Sequence, residues 1–116
     1  PEAIVVFDAL AAAEPERLCT TVQLTDAGLA PGSGLGNHRA AFCKESLGRL
    51  VLAVGAPTLM RAECLAGREL PGLSGLIVTP RDIDLRVREI ARAVGFGLSL
   101  ALHPGLTVSD VAGFLA

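Results

Sequence analysis

Two aspartates stand where a carboxylate can do chemistry. Asp8 closes the apolar run AIVVFDAL, and Asp26 opens the stretch TDAGLAPGSGLGNHR, Thr25 to Arg39. Gly32, Gly34 and Gly36 alternate along that stretch. Either the backbone there takes dihedrals closed to other residues, or another backbone passes very close. Amides of such a loop facing a cleft can hold a peptide carbonyl or an oxyanion. Two carboxylates facing one cleft can divide acid and base roles between them if their protonation states are complementary. A local reading of Asp26 is also open, in which its carboxylate caps its own loop through Asx hydrogen bonds.

The glycine loop fits nucleotides badly. A dinucleotide fingerprint needs GxGxxG and an acid about twenty residues on, whereas the spacing here is GxGxG and that position is Ala56. A phosphate-cradling P-loop needs a lysine and a hydroxyl residue after its last glycine, and Asn37-His38 follows Gly36. Cys19, Cys43 and Cys64 are odd in number and unrelated in spacing, with no CxxC, and only His38 and His103 could join them. That pattern reads as buried free thiols in a reducing compartment, not a structural zinc site or a cysteine nucleophile. His38 reads as a solvated loop residue and His103, beside Pro104, as a structural one.

The elements that would position these groups are legible in outline. The 116 residues are 51% hydrophobic and 19% charged, enough apolar surface for a folded core. A formal net charge of -2 with interspersed signs, and four Phe with no Trp or Tyr, argue against a nucleic-acid surface. No apolar run approaches the roughly 20 residues of a membrane span. AIVVFDAL and RLVLAVGAPT are doubly apolar runs suited to buried strands, the second stopped by Gly55 and Pro57. LCTTVQL (Leu18 to Leu24) and GLIVTP (Gly75 to Pro80) read as two further strands. HRAAFCKESLG reads as a short helix ended by Gly48. A longer helix follows, with Thr79 as N-cap and Pro80 in its first turn. Ile83, Val87, Ile90, Val94, Leu98 and Ala101 form its apolar face, and Arg81, Arg88 and Arg92 share another. Strand–helix alternation predicts an α/β fold with an open, mostly parallel sheet. Ligand crevices in such sheets lie outside the carboxyl ends of strands, so Asp8 and Asp26 are expected to face one cleft.

The segments FDALAA, TTVQLTDAGLAPGSGLGNHR and KESLGRLVLAVGAPT together resemble the germination (spore) protease family. LIVTPRDID and GLSLALHPGLT resemble its closing strand–helix segment, so the likeness spans nearly the whole chain except Met60 to Ser74. The resemblance implies a three-layer α/β fold with helices on both sheet faces, similar to hydrogenase maturation proteases. It implies that residues 1–116 form a single α/β domain, the C-terminal part of a catalytic domain. The implied activity is an endopeptidase of atypical aspartic type, made as a zymogen, that degrades small acid-soluble spore proteins during germination. Asp26 falls on an essential aspartate of the family; Asp8 is assigned beside it, as a catalytic or supporting acid. Gly32, Ser33, Gly34, Gly36, Asn37 and Arg39 would line the substrate site, Arg39 as a partner for a carboxylate. No metal and no other cofactor is expected. The second family aspartate lies in an upstream G-L-G-N…T-P-D-A-L-G-P motif absent from this chain, so an incomplete active site is expected. The resemblance further implies homo-oligomers, no direct nucleic-acid or membrane partner, and the spore core, which is cytoplasmic in origin. Two alternatives stay open: a non-catalytic binding or assembly module of the same fold, and a nickel-dependent maturation protease.

Overall fold

The computed structural model describes residues 1–28 and 43–115. The β-branched run AIVVFDALA forms strand β1, Ala3–Ala11, and LVLAVGAPTLMR forms strand β3, Leu50–Arg61. The two lie side by side in parallel, from Ala3 opposite Leu50 to Leu10 opposite Pro57. Strand β2, Gln23–Thr25, borders β3 on the other side and runs antiparallel, with Gln23 opposite Gly55 and Thr25 opposite Ala53. The short strand β4, Ile77–Val78, pairs antiparallel with the far end of β3 through Met60 and Arg61. The sheet is therefore open and mixed, in the order β1-β3-β2. The parallel ladder is the longest, as expected, but β2 reverses direction.

Neither Gly55 nor Pro57 stops β3. Pro57 lacks an N–H but sits where the ladder already breaks. The register shifts after Leu10, so that Ala11 faces Leu59 and Thr58 is left unpaired by β1. The freed groups find other partners. The Pro57 carbonyl accepts the Cys19 amide at 2.7 Å, and the Thr58 carbonyl accepts the Thr79 hydroxyl at 2.7 Å.

That second bond explains why Thr79 does not cap the long helix. Its hydroxyl is committed to β3, and the N-cap of helix α3, Ile83–Leu102, is instead Asp82, three residues later. The Asp82 carboxylate accepts from Arg86 Nε at 2.8 Å, and this guanidinium holds Asp82 below the usual carboxylate range. Between β2 and α3 lie two short helices, α1 (Lys44–Leu47) and α2 (Ala62–Ala66). Gly48 closes α1 in the left-handed conformation, as the sequence predicts. The strand expected over Leu18 to Leu24 is only its last part. Pro15–Arg17 instead forms a 3-10 turn, after which the chain enters β2.

The described residues fall into two compact units, Pro1–Arg81 and Asp82–Ala116. In the first, Val51, Ala53 and Met60 are buried to 2% exposure or less. They lie on β3, the strand flanked on both sides. The opposite sheet face is more open, with Phe7 and Leu24 exposed. In the second, α3 is followed by helix α4, Val108–Leu115, which the sequence reading passed over. Its start is a capping box. The Thr107 hydroxyl accepts the Asp110 amide at 3.1 Å, and the Asp110 carboxylate accepts the Thr107 amide at 2.9 Å.

That box gives a pH prediction. The Thr107 backbone N–H, and after it the Thr107 side chain, hold Asp110 below the ordinary aspartate value. A carboxyl depressed in the folded state stabilises fully above its unfolded pKa of about 3.9, and the contribution is lost as pH falls through the lowered folded value. Protection of the amides at the start of α4 should therefore drop as the solution is acidified below about pH 4. Asp110→Asn should flatten that dependence, read by hydrogen exchange.

Candidate functional site

Asp8 lies within β1, three residues short of its end, and is half-buried. Its Oδ1 accepts the amide of Ala9 at 2.9 Å. Among the described residues its other carboxylate oxygen has no partner. Paired residues of neighbouring strands present their side chains to the same face, so the Asp8–Gly55–Gln23 row sets a carboxylate and a carboxamide on either side of a glycine.

That middle glycine is occupied from above. A Cβ built on Gly55 would stand 2.7 Å from Leu10 Cγ. Leu10 follows Asp8 by two residues and shares its face, so its isobutyl group leans back over the rung that carries Asp8. The sequence reading took Gly55 for a strand terminator. An isolated glycine inside an otherwise apolar strand is the signal of close approach that it missed.

Asp26 follows the last residue of β2 and is exposed. The turn bond expected of it is made by its neighbour: Thr25 Oγ1 accepts the Ala27 amide at 3.0 Å. Gly28, with φ 97, then turns the chain through a region unfavourable to other residues. Among the described residues nothing bonds the Asp26 carboxylate, so the self-capping alternative finds no support in them. Gly32, Ser33, Gly34, Gly36, Asn37, His38 and Arg39 lie outside the described residues.

The two acids do not sit at one strand end. Because β2 is antiparallel, its carboxyl end lies beside the start of β3, whereas Asp8 is level with Gly55. Asp8 and Asp26 are two strands apart and about three rungs offset. At roughly 4.8 Å per strand and 3.3 Å per residue, their α-carbons are about 14 Å apart. Two carboxylates that hold one water in common must be closer. The sequence could not show this, since both acids follow apolar runs whatever direction the strands take.

Other chemistry-bearing groups are local. Cys19, Cys43 and Cys64 are half-buried and form no disulfide among the described residues. The backbone amide of His103 donates to the Ser99 carbonyl at 3.1 Å where α3 ends, and the residue is exposed. Among the described residues no three His, Cys, Asp or Glu side chains gather as a metal site would require. None of the described helices is long and apolar enough to cross a membrane.

A family model described as Germination protease matches residues 1–71. A germination protease of Caldanaerobacter subterraneus subsp. tengcongensis is 34% identical over 149 aligned positions, covering 96% of this chain and 46% of that protein. One from Clostridium perfringens is 29% identical, covering 99% of this chain and 47% of its own length. One from Bacillus pumilus is 47% identical over 66 residues, 57% of this chain. The chain thus spans somewhat under half the length of the first two relatives. An alignment of 149 positions against 116 residues also means that the Caldanaerobacter protein carries insertions relative to it. With the family model matching more than half of its residues, and a relative 34% identical across an alignment that covers 96% of it, this chain belongs to the germination protease family.

Proposed function

We propose that this chain is part of an endopeptidase of the germination type, which degrades small acid-soluble spore proteins by carboxylate-activated water without a metal. The observation that carries the chemistry is Asp8. One of its oxygens is held by the Ala9 amide, and the other is left without a partner among the described residues. A half-buried carboxylate with one oxygen fixed and one available is suited to take a proton from an attacking water. Asp26 stands at the mouth of the glycine loop with no bond among the described residues. There it meets the substrate together with Gly32, Ser33, Gly34, Gly36, Asn37 and Arg39, whose amides and side chains hold the peptide and its developing oxyanion.

Since the register parts Asp8 from Asp26, the acid that shares a proton with Asp8 comes from elsewhere in the longer family protein. The upstream G-L-G-N…D-A-L-G-P segment of the family supplies an aspartate for that part. On this reading residues 1–116 complete a three-layer α/β catalytic domain of the hydrogenase maturation protease type. The whole protein is a zymogen-derived homo-oligomer in the spore core, with small acid-soluble spore proteins as its substrates.

The test is incubation of the full-length protein with a purified small acid-soluble spore protein, followed by mass spectrometry of the products. Internal peptide-bond cleavage that survives chelator supports the reading. Binding without cleavage favours the assembly-module alternative. Cleavage that needs added nickel favours the maturation-protease alternative.

A further inference from the structure

We propose that Gly55 and Leu10 are positioning residues for Asp8, acting through the space that the missing Cβ leaves above β3. The proposal rests on the reading of Asp8 as a hydrolytic carboxylate, and it concerns how that carboxylate is held.

The backbone ladder around Asp8 is weaker than its length suggests. Leu10, opposite Pro57, is the last residue before the register slips. The stretch from Asp8 to Ala11 therefore depends on side-chain packing to stay in place. Leu10 provides it by lying against Gly55, where only a residue without a Cβ leaves room. The same isobutyl group walls one side of the Asp8 rung with hydrocarbon. On this proposal it limits the rotamers open to the carboxylate. A methyl at position 55 would drive Leu10 off the sheet, and the bulge beside it offers the least resistance to that movement. The Asp8 side chain, on the same face and two residues away, would move with it.

Gly55→Ala, Leu10→Ala and the double variant, made in the full-length protein, test this with two readouts. The first is kcat and KM on a spore-protein peptide. The second is the Ala9 amide resonance in alanine-labelled protein, followed against pH, which reports the Asp8 carboxylate that it bonds. Gly55→Ala is expected to lower kcat by on the order of 10- to 100-fold while KM changes little, as misplacement of a reacting group does. It should also shift the Ala9 resonance. Adding Leu10→Ala removes the clash, so the double variant should be less impaired than Gly55→Ala and resemble Leu10→Ala alone, a coupling that a general loss of stability would not show.

A folded Gly55→Ala protein with wild-type kcat and an unmoved Ala9 resonance overturns the proposal, as does a double variant no better than Gly55→Ala. Should Gly55→Ala fail to fold, Leu10→Ala alone decides: its Ala9 resonance must shift, and an unshifted one overturns the proposal. A wild-type protein that hydrolyses nothing, yet shows the expected Ala9 pattern, refutes the hydrolytic reading and leaves the positioning intact.

Discussion

Asp8→Asn in the full-length protein is expected to reduce peptide hydrolysis by on the order of 10²- to 10⁴-fold, the usual contribution of a general base. The substitution isolates the chemistry. Asparagine matches aspartate in size, and its side-chain oxygen can still accept the Ala9 amide, so the local hydrogen bond survives. Only the basic oxygen is removed. Asp26→Asn is expected to produce a loss of the same order, for a different reason: under the proposed function its carboxylate meets the substrate, and no described residue bonds it. Because the two sit about 14 Å apart and act for different reasons, their losses should roughly multiply in the double variant. Steady-state rates on a single spore-protein peptide, with circular dichroism to confirm folding, provide the check. Full turnover in either single variant would remove that acid from the machinery.

Met60→Ala is expected to be the most damaging single truncation in the first unit. Met60 is fully buried, on the β3 rung that faces Val78 of β4. Shortening a buried Met, Leu or Ile to Ala typically costs about 2–5 kcal/mol, through lost transfer energy and the cavity left behind. Against a total stability of about 5–15 kcal/mol, that is a large share. Leu24→Ala is the contrasting case. It removes a similar volume from a side chain that is 76% exposed, and should cost no more than about 0.5 kcal/mol, as surface changes do. Urea midpoints of the two variants, compared at equal slope, measure the difference. A Met60→Ala protein with an unchanged midpoint would show that β4 does not seal the end of the sheet.

The candidate site was legible in part. Asp8 and Asp26 could be picked from the sequence because each follows an apolar run and one opens a loop of alternating glycines. Their separation could not. It depends on β2 running against β3, and a run such as TVQLT carries no mark of direction. Gly55 shows the same limit at one residue. The glycine is visible in VGAP, but Leu10, the side chain that requires it, lies forty-five positions earlier and reaches it only through the parallel ladder.

The sequence by itself determined the kinds of elements and the family. β-branched apolar runs made β1 and β3, helical spacing made α3, Gly48 ended α1, and the PGSGLGN-centred stretch carried the kinship. These depend on local preferences, which act over a few residues and are written there. The tertiary structure alone decided strand direction, the passage of β3 through Gly55 and Pro57, and the partner of the Thr79 hydroxyl. Each of these is settled by which distant backbone group is left needing a hydrogen bond, and that is known only once the strands have paired.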